Sequence, residues 1–414
     1  MLCLSFPTVR LFKHFYEAGM SKWREQFSVF RQRPEWAYFD SAASCQVPDV
    51  VLDAMSDYQK EFHANVHRGS YQQSQHATAL YESWRVKVAG FIGATADELI
   101  FTRGTTESMN LLAESLLRPV LKAGDNVVVT LAEHHANWLP WQRVCHQVGA
   151  EFRVAPLDEA GRVADIMSLV DERTKLVSLT HASNVMGVIN PVAEICAQLR
   201  DKGILSVIDA AQSAAQMGLD VEQIGCDALA FSGHKLYGPT GIGALYVREG
   251  VLKTMQPYQV GGGMVDMVYQ DHSEYHQGVQ GFEAGTPNLI GAAGLAAAVE
   301  FLQDCRANGS SEYLRGLFKQ LHDVLDNVSW LHMLPHSGGR IPVISVHNPD
   351  IHPRELAICL DEDGVSARAG RHCAQPLINK LTSNGCLRFS LGVYSNAADI
   401  DRLARGLDGC KLKP

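Results

Sequence analysis

The stretch Asp227-Ala-Leu-Ala-Phe-Ser-Gly-His-Lys-Leu-Tyr-Gly-Pro-Thr-Gly-Ile-Gly-Ala-Leu-Tyr-Val247 decides how this chain is read. Two short apolar runs, 227–231 and 242–247, flank a glycine-rich turn that holds Lys235 beside Ser232 and His234. Short apolar runs bounded by turn residues read as buried strands. A lysine in a turn between them can be held partly out of water, and desolvation lowers an amine's pKa towards its nucleophilic form. That is what imine formation with an aldehyde needs. A lone lysine so placed would still be taken as structural, so the reading turns on its company.

Pyridoxal phosphate is the aldehyde cofactor such a lysine would anchor, and it needs a carboxylate at its ring nitrogen, a phosphate cup and a group over its ring. Each follows an expected strand. Gly203-Ile-Leu-Ser-Val-Ile-Asp-Ala-Ala-Gln212 reads as a parallel strand running out into Asp209 and Gln212, where ligands of open α/β sheets bind. Glu98-Leu-Ile-Phe-Thr102 leads into Arg103-Gly-Thr-Thr-Glu-Ser108 and then a helical pattern, which presents Thr105, Thr106 and free amides to an anion at a helix N-terminus. After Asn126–Leu131 comes Ala132-Glu-His-His-Ala-Asn137, so His134 or His135 can cover the ring. Asn184, after the strand 175–180, can contact the ring oxygen.

These segments resemble the fold-type I pyridoxal-phosphate enzymes of the class V aminotransferase group, and within it the cysteine desulfurases. The resemblance rests also on Asp40-Ser-Ala-Ala-Ser44, Asn65-Val-His-Arg-Gly69, Ser183-Asn184, Glu283-Ala-Gly-Thr-Pro287 and Arg368-Ala-Gly-Arg-His-Cys-Ala-Gln-Pro376, in order from about residue 38 to 395. The last segment is similar to the group II desulfurases, with a short cysteine loop. The resemblance implies that Lys235 anchors the cofactor, Asp209 pairs with its ring nitrogen and Gln212 with its phenolate oxygen. It further implies that His134 stacks on the ring, that Thr106, Ser232 and His234 hold the phosphate, and that Arg388, assisted by Asn184, clamps the substrate carboxylate. His67 and Arg368 would border the substrate. Thr286 would reach the phosphate of a neighbouring subunit, which implies a homodimer.

Cys373 carries the distinctive chemistry. Arg368, Arg371 and His372 make its surroundings positive, which favours a thiolate, and a thiolate beside the substrate can take its sulfur. The chain departs from the usual pattern after Arg388, with Phe389-Ser-Leu and Tyr394-Ser-Asn; Phe389 is expected to narrow the pocket.

Composition sets the outer bounds. The 414 residues are 46% hydrophobic and 20% charged, with mean hydropathy −0.07, as in a soluble globular chain long enough for two domains. Net charge −9 disfavours nucleic acid as partner, and no apolar run reaches the ~20 residues of a membrane helix. Ten scattered cysteines without a Cys-x-x-Cys pair fit a reducing compartment, the cytoplasm, better than a disulfide framework. Residues 1–19 read as a non-essential extension, with a helix beginning at Met20–Phe27. His63/His67 and His272/His276 have i,i+4 spacing, but neither pair is His-Glu-x-x-His or has an evident third ligand, so no metal is expected.

Alternating strands and helices from 39 to 291 predict a large, mostly parallel, seven-stranded-type sheet with helices on both faces. A small α+β domain at 292–414, joined by residues 20–38, is expected to carry the cysteine loop. The expected activity is conversion of L-cysteine to L-alanine, with a persulfide on Cys373 passed to an acceptor protein, as in iron–sulfur cluster assembly. L-Selenocysteine lyase or L-cysteine sulfinate desulfinase activity is the nearest alternative. A true class V aminotransferase would leave Cys373 without a task, and a sulfur-relay partner without catalysis would not need the lysine.

Overall fold

The computed structural model describes residues 21–336 and 338–411; the expected extension 1–19 lies outside them. Its central sheet contains β1 (Leu99–Thr102), β2 (Asn126–Thr130), β3 (Glu151–Ala155), β4 (Thr174–Thr180), β5 (Leu205–Asp209), β6 (Ala228–Ser232) and β7 (Gly243–Val247), in the order β1-β7-β6-β5-β4-β2-β3. Only β7 runs antiparallel to its neighbours; the other pairs are parallel. Successive strand residues point to opposite faces, and here both faces are buried. Val127 and Val129 join one apolar cluster and Val128 the other; Ala228 and Ala230 oppose Leu229 and Phe231 in the same way. That double burial is why these strands read as continuous apolar runs.

Helix α4 (Leu289–Ala307) packs on both α1 (Asp49–Asp57) and α2 (Gln72–Phe91), while α3 (Thr105–Leu112) follows β1 directly. A second sheet joins β8 (His332–Met333), β9 (Val343–His347), β10 (Arg368–Gly370) and β11 (Cys386–Ser390) in the antiparallel order β8-β9-β11-β10. It is flanked by α5 (Ser310–Asp326), α6 (Pro353–Glu362), α7 (Gln375–Leu381) and α8 (Ala397–Lys411).

Two expectations are corrected, and the spacing of the histidine pairs is placed. In place of a helix from Met20, a 3₁₀ turn at Arg24–Gln26 precedes a short helix, Ser28–Gln32, because Phe27 turns to extended backbone and buries its ring between them. Cys359 of α6 and Cys410 of α8 form a disulfide with Cα atoms 5.9 Å apart; their separation of 51 residues hides the pairing from the sequence. The histidine pairs are not helical: His63 follows the end of a helical turn, and His272 and His276 lie on or beside a hairpin, ion-paired to Asp271 and Asp266.

The motif Glu283–Pro287 is fixed by a buried ion pair. Arg85 of α2 donates from both terminal nitrogens to Glu283 (2.6 and 2.9 Å). Glu283 also accepts from Tyr81 Oη and the Phe101 amide, so its carboxylate ties α2, β1 and this loop together. Removing one partner of a buried pair strands the other charge. Arg85→Ala is therefore expected to cost about 3–5 kcal/mol in urea denaturation; a loss below about 1 kcal/mol, the scale of an exposed pair, would contradict this account.

Candidate active site

Strand endings build the site. β1, β2, β4, β5 and β6 finish at Thr102, Thr130, Thr180, Asp209 and Ser232, all at the same end of the sheet, with the antiparallel β7 starting there between β1 and β6. A cavity of about 180 Å³ opens there, lined by Thr105, Thr106, His134, Asn184, Asp209, Ser232, His234, Lys235, Arg368, His372, Cys373 and Arg388. These polar residues, from Thr105 to Arg388, thus meet at one cavity, among them both Lys235 and Cys373.

Lys235 ends a 3₁₀ turn, Gly233–Lys235, between β6 and β7. Burial depresses its ammonium pKa; the carboxylate of Asp209 opposes this, and the Arg388 guanidinium adds to it. Asp209 is raised, first by burial, with the Lys235 charge pulling it back. Its Oδ1 accepts from the Ala211 amide at 2.9 Å, and Oδ2 makes no hydrogen bond among the described residues. Such a free carboxylate oxygen suits a protonated ring nitrogen.

At the start of α3, Gly104 adopts φ 143° and ψ 178°, with no side-chain cap on the helix. Any Cβ at Gly243 would meet the Phe231 carbonyl at 2.5 Å and the Gly104 Cα at 2.6 Å, so β7 needs glycine there. The amide and hydroxyl of Thr105 each lie 2.9 Å from Ser232 Oγ. Together with Thr106 and His234, they form an anion cradle of hydroxyls and helix amides. Amine, unpaired carboxylate and cradle are the donor set that pyridoxal phosphate requires, and the residues fit it.

His134 Nδ1 accepts from the Ala136 amide at 3.0 Å, so in the neutral ring the proton sits on Nε2. Burial, and then the Lys235 charge, lower its pKa to about 3. His135 fastens the cysteine loop: its amide donates to the Cys373 carbonyl (2.7 Å), and its Nε2 accepts from the Gln375 amide (3.2 Å). Asn184 Nδ2 donates to the His372 carbonyl at 2.8 Å. The loop is pinned in an unusual backbone, with φ 48° at His372 and 52° at Cys373, a region that residues other than glycine enter only when their surroundings compel it. Cys373 itself is exposed, whereas six other free cysteines are buried.

Arg388 is almost fully buried and donates to the Asn184 carbonyl (2.9 Å) and to Asp40 (3.1 Å). Its Nε is buried and has no partner among the described residues, and the residue lines the cavity. Arg368 stands opposite Arg388 in the β10–β11 register, and both guanidinium groups bind the one carboxylate of Asp40. Asp40 and Glu133 have no role assigned from the sequence, although the segments Asp40–Ser44 and 132–137 contain them, and His135 holds the cysteine loop where the sequence suggested a ring cover. Burial raises Glu133 to about 8 behind Asp209, where it accepts from Asn137 and the Thr180 amide.

Four expected positions lie elsewhere. Gln212 donates Nε2 to the Ala42 carbonyl (2.8 Å), behind the cavity wall. His67 is partly exposed beside Glu82, 3.9 Å away. Thr286 lines a separate cavity with Arg103 and Glu107. Phe389 does not narrow the pocket: strand alternation sends Arg388 to the cavity and Phe389 to the core, edge-on to Phe39.

Buried neutral histidines also set a pH response. His181, with its Nδ1 unpartnered, is lowered by burial to about 4. The unfolded chain then binds its proton near 6.5 and the folded chain does not. Stability present above pH 6.5 is therefore lost as pH falls towards 4. Between pH 6 and 5, wild-type protein should lose about 1.4 kcal/mol more per pH unit than His181→Gln in urea titrations; parallel profiles would refute the burial of a neutral ring.

Comparison with known proteins gives the same picture. Residues 37–403 match the family model described as Aminotransferase class-V. A probable cysteine desulfurase of Halalkalibacterium halodurans is 42% identical over 379 residues, covering 90% of this chain and 93% of that protein. The apo cysteine desulfurase of Thermococcus onnurineus NA1 superimposes with TM-score 0.88 at 34% identity, covering 99% of both chains. The Escherichia coli cysteine desulfurase CsdA, in an S-sulfonic acid form, gives TM-score 0.87 at 35% identity, covering 94% of this chain and 98% of that one.

Proposed function

Because the chain belongs to the aminotransferase class-V family and, within it, to the cysteine desulfurases, we propose how its own residues divide the work of taking sulfur from L-cysteine. The enzyme depends on pyridoxal phosphate, which when bound supplies an electron sink that makes the substrate Cα–H acidic and its sulfur open to attack. The observation that carries the assignment is the shared cavity of Lys235 and Cys373.

Lys235 Nζ would hold the cofactor and, as a free amine, would take the substrate Cα proton; burial lowers its pKa and so favours that role. Asp209 meets the ring nitrogen. Thr105, Thr106, Ser232 and His234 receive the phosphate, and Gln212 supports the ring-oxygen side through its position behind Ala42. His134, neutral with its proton on Nε2, covers the ring and is the nearby proton donor. Arg388 binds the substrate carboxylate, with Asn184 and Arg368 steadying the arrangement.

Cys373 Sγ, as thiolate, forms a bond to the substrate sulfur. The carbon–sulfur bond breaks, its electron pair stays with Cβ, and Cβ takes up a proton. One L-cysteine and one thiol give one L-alanine and one persulfide on Cys373. The left-handed backbone at His372 and Cys373 holds the thiol in the cavity mouth, accessible to a protein acceptor such as one feeding iron–sulfur cluster assembly.

We further propose a cytoplasmic homodimer in which Thr286 reaches the partner's phosphate cradle and His67 approaches the shared site. The chain divides into residues 39–291, which hold the cofactor, and 292–414, which carry the cysteine loop, with 20–38 packed on the latter. Among the described residues no helix is long and apolar enough to cross a membrane. The net charge of −9 disfavours nucleic acid.

Cys373→Ala is expected to keep the cofactor's visible absorbance and lose alanine formation from cysteine to background; turnover near wild type would remove the nucleophile assignment. Lys235→Ala should lower turnover by roughly 10²–10⁴-fold or more and abolish the borohydride-reducible link to the cofactor. Relative rates on L-cysteine, L-selenocysteine and L-cysteine sulfinate check the substrate, with cysteine expected to release alanine only when Cys373 is present. Alanine from cysteine at equal rates in wild type and Cys373→Ala would exclude this division of roles.

A further inference from the structure

Away from the catalytic cavity, a second one of about 190 Å³ opens between the start of α5, the end of α4 and the segment leading into β9. Three arginines line it, Arg306, Arg315 and Arg340, with Ser310 and Ser311, and no carboxylate does. Among the described residues none of the three is ion-paired. The net charge is −9, and the arginines that are fully buried each have a carboxylate: Arg24 with Asp399, Arg85 with Glu283, Arg388 with Asp40.

Two of the guanidinium groups, those of Arg306 and Arg340, are held in place without being used up, and Arg315 stands exposed at the rim. Arg306 Nη2 donates to the Ala214 and Met217 carbonyls at 2.8 and 2.7 Å, leaving Nε and Nη1 without a hydrogen bond among the described residues. Arg340 stacks over Phe318 with its Cζ 5.1 Å from the ring centre, an arrangement that leaves its N–H fork free for oxygen acceptors. Burial disfavours the charge on both Arg306 and Arg340, so each is held at an energetic cost that an anion would relieve. Helix α5 adds its own pull: its N-cap is Gly309, which offers no side-chain acceptor to the first amides. Glu312 in that first turn is exposed and lies outside the cavity lining.

We propose that this cavity binds a small anion bearing two or more phosphate or carboxylate groups. Three guanidinium forks and two serine hydroxyls match the oxygens of such a molecule. A volume of about 190 Å³, open on one side, suits a compact polyanion. The cavity walls come from both sheets' surroundings, Met217 on one side and Ile341 and Pro342 on the other, so the ligand braces the seam between them. The site is independent of the desulfurase chemistry.

Calorimetric titration of the full-length, pyridoxal-phosphate-loaded protein with pyrophosphate, and separately with citrate, tests the proposal. Loading keeps the catalytic phosphate cradle filled. One ion per chain should bind with Kd below about 1 mM, and Arg315→Ala/Arg340→Ala should weaken it by about tenfold or more. Arg315→Glu, at an exposed position, should abolish binding without disturbing the fold, and Arg143→Ala, an exposed arginine elsewhere, should change nothing. Binding of pyrophosphate alone identifies a phosphate ligand, and of citrate alone a carboxylate ligand. No heat from either anion, or equal affinity in wild type and the Arg315/Arg340 variant, would overturn it.

Discussion

Two arginines face each other on neighbouring antiparallel strands, and one carboxylate makes that arrangement tolerable. Arg368 and Arg388 are direct partners in the β10–β11 register, where like charges repel. Asp40, from the N-terminal segment that bridges to Ser390 of β11, binds both. The same Arg388 reaches the Asn184 carbonyl, and Asn184 holds the His372 carbonyl. A continuous polar chain therefore runs from the N-terminal segment through the second sheet to the cysteine loop and back to the end of β4. If Asp40 were lost, the repulsion would fall on the strand that presents the substrate clamp.

This seam explains why an amine and a thiol from distant parts of the chain share a small cavity. The large sheet supplies a dry floor in which Lys235 and Asp209 compensate each other's burial. The second sheet supplies a strained, accessible rim. The two kinds of environment suit two kinds of nucleophile: the amine is activated by exclusion of water, while the sulfur has to stay open to an acceptor. His134 and His135 divide along the same line, one ring facing the floor and the other fastening the rim.

Much of this was legible in the sequence, for physical reasons. Strands buried on both faces appear as unbroken apolar runs, so their polar endings stand out, and Thr105, Asp209, Ser232 and Lys235 all sit at such endings. What stayed hidden required tertiary contact. The second histidine of a pair does not announce that its amide will hold a loop 238 residues away. Phe389 looks like a pocket residue until strand alternation turns it inward. Cys359 and Cys410 lie on different helices, and only their packing brings the sulfurs together. His67 and Thr286 sit outside this cavity, and nothing local in their segments foretells that.

The most direct test of the central idea follows the sulfur. A single turnover with sulfur-labelled L-cysteine, followed by alkylation and peptide mass spectrometry, would report which residue holds the transferred atom. The label is expected as a persulfide on Cys373 alone. Label on Cys45, whose buried thiol contacts the Lys235 carbonyl, or free sulfide with no labelled peptide, would contradict the account.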